Sequence, residues 1–162
     1  MALTLSILIA TMPKRQERLN KLLRNLNQQI NDSVEVIIDN SMEYNIGVKR
    51  QSLLEKSKGY YIVYIDDDDQ ISNDYVEKIL EASKSNADCM AITGIITTNG
   101  LYPKKWYISK RYGKWFEKNK IYYRTPNHIS PVKREIALKA GFPPISQGED
   151  AAYSERILPM LE

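Results

Sequence analysis

Cysteine is all but missing from this chain. Cys89 stands alone, so no disulfide can form within it, and the composition suits a reducing compartment, the cytoplasm by default. Histidine is equally scarce: His128, in "TPNHISP", is the only one and reads as a loop or packing residue outside the catalytic set. No G-x-G-x-x-G follows any strand, and the first strand-to-helix stretch, "IATMPKRQE", contains no glycine at all. That excludes a dinucleotide-binding oxidoreductase and leaves a nucleotidyltransferase only as an alternative. The opening "MALTLSILIATMPKRQERL" is apolar over too short a run to span a bilayer and has no basic region before it, so it reads as a buried strand and not as a signal peptide or anchor. Low-complexity tracts, repeats and linkers are absent too. A formal charge of +3 is too small to argue for nucleic acid as a partner.

What is present is ordinary in bulk and informative in order. Hydrophobic residues at 43% and charged residues at 27% of 162 are the composition of a soluble globular chain, long enough for one domain with a real core. "LTLSILIAT" predicts a buried parallel strand, with Pro13 in the first turn of a helix and Thr11 or Met12 near its cap. Leu19, Leu22, Leu23, Leu26 and Ile30 form the stripe of an amphipathic helix. "VEVIID" (34–39) is a second strand, a helix is expected at about 46–57, and "YYIVYID" is a third strand. Ser72 is placed to cap the next helix, in which Val76, Ile79 and Leu80 face inward.

This βαβαβα order predicts an open, mostly parallel α/β sheet with helices on both faces, whose ligands lie beyond the carboxyl ends of the strands. Thr11, Asp39 and Asp66 to Asp68 all fall at such ends. Asp66, Asp67, Asp68 and Asp69 are consecutive, with no lysine or arginine within several positions. Four like charges are costly unless something positive neutralises them, and a divalent cation is the candidate. An extended strand end would turn alternate carboxylates to opposite sides.

The second half changes character. Asn99-Gly100 predicts a two-residue hairpin turn. The segment from Lys104 to Arg124 holds eight basic residues, one acidic residue and seven aromatics without a clean period. Such a mixture fits cations on a nucleic-acid backbone with bases stacked on the rings, sugar faces stacked on the rings, or rings packed on the sheet with their lysines in water. "SPVKREIALKAG" reads as a helix capped by Ser130, with Pro131 first and Gly141 as the stop; "GEDAAYSERIL" is a short helix opened by Glu149 and Asp150.

Four stretches, in order, resemble the GT-A-fold glycosyltransferases and within them the family-2-like enzymes: "SILIATMPKRQERLNKLL", "VEVIIDNS", "NIGVKRQSLLEKSKGYYIVYIDDDDQISNDYVEKI", and "HISPVKREIALKAGFP" with "GEDAAYSERI". The resemblance implies one GT-A-like catalytic domain over 1–162, with a nucleotide and metal half (1–98) and an acceptor half (99–162). It implies a nucleotide-sugar donor, most simply a UDP-sugar, and a saccharide or other hydroxyl acceptor. Asp39 would meet the base or ribose, with Thr11 and Arg15 lining the same pocket. Lys49 and Arg50 would approach the nucleotide or its diphosphate. Asp66 and Asp68 would be the ends of an Asp-x-Asp motif holding Mn²⁺ or Mg²⁺, and Asp67 would reach the ribose or donor sugar. Asp150 would be the general base, with Glu149 in reserve, and the reaction would invert the anomeric centre. From another class, the chain could be a binding module that recognises a sugar or nucleotide without turnover.

Overall fold

The computed structural model describes residues 3–162. In chain order the elements are β1 (Leu5–Ala10), α1 (Gln16–Leu26), β2 (Val34–Asp39), α2 (Ile46–Lys56), β3 (Tyr61–Tyr64), α3 (Tyr75–Ser83), β4 (Ile92–Thr98), β5 (Leu101–Ile108), β6 (Phe116–Lys118), β7 (Ile121–Arg124), β8 (Val132–Lys133), α4 (Arg134–Ala140) and α5 (Glu149–Ile157). The main sheet has the order β2-β1-β3-β8, parallel except for β8.

β1 is central, and its run of apolar residues is explained by burial on both faces. Leu5, Ile7 and Ile9 meet Leu19, Leu22 and Leu26 of α1 and Val76 and Ile79 of α3. Leu8 faces the other way, toward Leu53 and Leu54 of α2, Ile136 and Ala137 of α4, and Tyr153 and Ile157 of α5. Leu161, to which sequence patterning assigns no role, is buried in this second layer. The expected α/β sheet with helices on both faces is thus the architecture observed.

Two predicted helix starts are displaced, each for a tertiary reason. Ser72 does not cap α3; its hydroxyl donates to Asp74, and the free Val76 N–H of the first turn is satisfied from across the layer by the Gln29 side chain at 3.0 Å. Pro131 does not begin a helix either. Its carbonyl accepts from Met90 N at 2.9 Å, Lys133 N donates to Asp88 O at 2.9 Å, and Val132 lies fully buried beside β3. Sheet pairing captures these residues as β8, and α4 begins only at Arg134. Gly141 does end α4, with φ at +61°.

The basic-aromatic segment is a second sheet, of order β4-β5-β7-β6. Asn99 and Gly100, at φ +52° and +76°, turn β4 into β5 as the pair predicts. A second tight turn at Asn119-Lys120, with φ +54° and +61°, joins β6 to β7. The period was unreadable because cross-strand rings carry this sheet: Tyr107, Tyr123 and Phe116 stack across β5, β7 and β6 at 5.8 and 4.8 Å. Trp106 lies over Gly94, where no Cβ would fit.

β8, α4 and α5 complete the main sheet and its cover, so the division at residue 98 falls inside the β4–β5 hairpin. Among the described residues no helix is long and apolar enough to cross a membrane.

Tyr153 anchors α5 by stacking on Phe142 at 4.2 Å, but its buried hydroxyl has no hydrogen-bond partner among the described residues. Replacing it with the isosteric ring removes an unmet desolvation cost. Tyr153→Phe should therefore raise stability by about 1 kcal/mol in urea denaturation; a loss of that size would mean the hydroxyl is satisfied.

Candidate active site

β1, β2 and β3 run in the same direction and end together. Ala10 pairs with Asp39, and Thr11 N donates to Asp39 O at 2.8 Å, carrying the pairing one residue beyond β1. The Asp39 carboxylate accepts from Ser41 N at 2.9 Å. Burial pulls its pKa upward, but the contacts with Ser41 and the charge of Lys49 outweigh this and hold it below the ordinary value.

The four aspartates do not sit on an extended strand end. β3 stops at Tyr64, and Asp69 N donates to Asp66 O at 3.0 Å, so residues 66–69 form a tight turn. The turn sends the carboxylates to different partners, all distant in sequence. Asp67 points inward: it is buried, accepts from the Thr11 hydroxyl at 2.5 Å, and pairs with Arg15 at 2.5 Å. Asp68 is half-exposed between Arg15 at 2.8 Å and Arg18 at 3.3 Å. Asp66 lies between Arg50 at 3.1 Å and His128 Nε2 at 3.2 Å. Burial alone would raise Asp66, but the contact with His128, then the charges of Arg50 and Arg15, bring it down to about 2.

Arg50 is the bridge of the site. One face of its guanidinium meets Asp66, and its Nε approaches Glu149 Oε1 at 3.4 Å. Arg50 and Glu149 are 5% and 6% exposed, and neither Nε nor the buried Nη1 of Arg50 has a hydrogen-bond partner among the described residues. A buried, partly unsatisfied guanidinium is an offered donor. Gly47 lets this helix approach so closely: a Cβ there would run into the Pro143 carbonyl, and Gly47 N donates to Ile145 O at 3.2 Å. Asp150, the next residue on α5, is partly exposed and accepts from Ala151 N at 2.9 Å; its second oxygen accepts no hydrogen bond among the described residues.

Ion pairs and hydrogen bonds therefore link Thr11, Arg15, Arg50, Asp66, Asp67, Asp68 and Glu149 beyond the ends of β1 and β3, with Asp39 paired to Thr11 through the backbone and Asp150 next to Glu149 on α5. Lys49 behaves differently from Arg50. Its ammonium is buried and donates to Thr11 O at 2.6 Å, tying α2 to the end of β1. Asp66 and Asp68 are the carboxylates that could meet a cation, with His128 beside Asp66. Among the described residues no group of three acidic, histidine or cysteine side chains gathers for this. Sequence reasoning missed Arg18 and left out His128. His128 enters the site through the stretch before β8, which runs beside β3, as Tyr64 N donating to His128 O at 3.0 Å shows.

The sequence profile described as Glycosyl transferase family 2 matches residues 37–139, well over half of the chain. No curated protein matches. Among solved structures, S. aureus TarS 1-349 superposes with a TM-score of 0.70 at 13% identity, covering 96% of this chain and 55% of that one. TarS 1-349 solved with UDP-GlcNAc gives the same score and identity over 53% of its length. The longer S. aureus TarS structure matches at 0.69 and 14% identity over 33% of its length. The chain thus spans about half the length of the TarS 1-349 structures it resembles, and that likeness is one of fold.

Asp69 alone of the four lacks a cationic partner among the described residues. Desolvation in the turn, and repulsion from Asp66, Asp68 and Asp67, push its pKa from 3.8 up to about 6. Its side chain is exposed, and its three carboxylate neighbours are close in the turn. The folded state binds this proton more tightly than the unfolded chain does, so the stability that Asp69 contributes is full below pH 3.8 and is lost as pH rises through about 6. Asp69→Asn should raise Tm at pH 7.5 by about 2 °C, and the gain should vanish at pH 3.5. A gain independent of pH would show that charge is not its cause.

Proposed function

Since the chain belongs to glycosyl transferase family 2, we propose that it moves a sugar from a UDP-sugar to the hydroxyl of an acceptor with inversion at the anomeric carbon. The observation that carries this reading is the convergence of Asp39, Thr11, Arg50 and Asp66 at the ends of three parallel strands. It is supported by the fold shared with TarS, a protein solved with UDP and with UDP-GlcNAc. In this reading Asp39, ionised at any working pH, accepts hydrogen bonds from the uracil or ribose. Arg50, whose buried Nη1 is unpartnered among the described residues, donates to the diphosphate, and Arg15 adds positive charge at the same side.

The donor set suits a hard divalent cation. Mn²⁺ or Mg²⁺ takes oxygen ligands and is commonly held by one or two carboxylates, the rest coming from phosphates and water. Asp66 and Asp68 would hold it; Asp68 is the more open of the two. Such an ion, when bound, would stabilise the charge that grows on the leaving diphosphate. The chain's own residues do the remaining work. Asp150 takes the proton from the acceptor hydroxyl, whose oxygen bonds to the anomeric carbon as the carbon–phosphate-oxygen bond breaks and UDP departs. Glu149, held by Arg50, sets the start of α5 and hence the position of Asp150. Arg50 and Arg15 are fixed beforehand by their carboxylates, so they need little reorganisation as charge develops.

A binding module without turnover would keep the donor contacts and lose nothing when the base is removed. Calorimetric titration of UDP with and without Mn²⁺ is therefore combined with turnover assays on a panel of UDP-sugars. Asp68→Ala should weaken metal-dependent UDP binding by tenfold or more, about 1.4 kcal/mol. Asp150→Asn should keep UDP affinity within about twofold and lower kcat by roughly 10²–10⁴. Absence of UDP binding with either metal would sink the donor reading, and turnover intact in Asp150→Asn would remove that residue as the base.

A further inference from the structure

The second sheet and the outer side of α5 enclose a groove that the donor chemistry does not use. It has a volume of about 320 Å³ and runs between Lys114–Trp115 on one wall and Ala151, Ser154, Glu155 and Leu158 on the other. Its near end is Ala151, the residue after Asp150, and from there to Leu158 it follows about 10 Å of helix, the length of two sugar rings.

The wall is built, not incidental. The Trp115 indole N–H donates to Thr125 Oγ1 at 2.8 Å. Ser154 Oγ spends its one proton on Pro126 O at 2.6 Å, so the 2.8 Å contact between Thr125 and Ser154 has Thr125 as donor. This relay fixes the orientation of the indole against α5. Arg124 stacks on the ring at 4.8 Å, yet Trp115 remains 48% exposed. A large ring held rigid but left open to water is a preorganised stacking surface. Lys114 and Glu155 at the groove offer hydroxyl partners of both kinds.

Charge selects the occupant. Between residues 109 and 124 the chain carries Lys110, Arg111, Lys114, Lys118, Lys120 and Arg124 against Glu117 alone. Glu117 pairs with Lys104, and none of the six cations meets a carboxylate among the described residues. The cations near the aspartate turn are consumed there; these are not. Resting on the transferase reading above, we propose that the acceptor is an anionic saccharide chain, seated with a ring on Trp115 and its charges on the cations of the second sheet, so that a hydroxyl reaches Asp150.

The test titrates the full chain by calorimetry with maltotriose, with phosphorylated maltotriose and with trigalacturonate, and in parallel with UDP. Both anionic trisaccharides should bind, and maltotriose about tenfold more weakly. The preference should shrink between 50 mM and 500 mM salt, as expected where screening reaches exposed charges. Preference for only one of the two anions would identify phosphate or carboxylate as the charge recognised. Trp115→Ala should weaken the anionic trisaccharides about tenfold, the loss of one stacked ring, and leave UDP affinity unchanged. Arg124→Gln, which leaves the indole relay in place, should weaken only the charged sugars. Equal affinity for charged and neutral trisaccharides, or no effect of Trp115→Ala, would overturn the proposal. So would a hexathymidylate that binds more tightly than either anionic sugar, since the surface would then be one for nucleic acid. UDP binding with no saccharide binding refutes this inference alone; saccharide binding with no UDP binding refutes the donor reading alone.

Discussion

Buried between Asp66 and Glu149, the guanidinium of Arg50 joins the turn after β3 to the start of α5, residues 83 positions apart in the chain. Removing a charge from water is costly, and the cost is offset only where partners surround it. Arg50 meets that condition through its ion pairs with Asp66 and Glu149, while Nη1 stays buried without a hydrogen-bond partner among the described residues. The arrangement constrains three elements at once. α2 must lie close enough to bring the arginine inward, which Gly47 permits. α5 must begin where Glu149 can reach it. The turn after β3 must present Asp66 and not its neighbours.

The aspartate turn follows the same logic of distributed compensation. At separations near 4 Å, unscreened like charges cost several kcal/mol in a site of intermediate polarity. The fold answers with cations from α1 and the turn before it, from α2, and with the ring of His128. Asp67 is absorbed into the scaffold by Thr11 and Arg15, while Asp66 and Asp68 keep faces toward the crevice. One stretch of identical residues therefore has three different environments. Composition alone could not separate them.

Much of the scaffold was legible. The apolar run of β1, the leucine stripe of α1 and the Asn-Gly turn state their structures locally, and the strand-end rule brought Thr11, Asp39 and Asp66 to one place without knowledge of any contact. What was not legible lies in contacts between residues far apart. Arg18 reaches Asp68 across 50 positions and His128 reaches Asp66 across 62; nothing near either residue marks it. β8 was misread as helix because Ser130-Pro131 is a genuine local signal that pairing with β3 and Asp88 overrides. The aspartates were read as extended because the strand before them is unambiguous and the turn after it is closed by a backbone hydrogen bond that any residue could make.

The second sheet has a further consequence. Its outer strands, β4 and β6, present unpaired backbone to solvent, and β4 carries Ile95 and Ile96 exposed at 69% and 39%. A flat apolar strand of this kind would invite a neighbour's strand to add to it and propagate. The register of β4 breaks between Ile96 and Thr98, and Tyr102 opposite has a left-handed backbone at φ +53°. The bulge twists the hairpin tip away from the plane that an incoming strand would need. β6 is only three residues long and ends in Lys118. The irregularity at the hairpin tip thus makes the margin of this sheet a poor template for an added strand while its rings and cations stay in water.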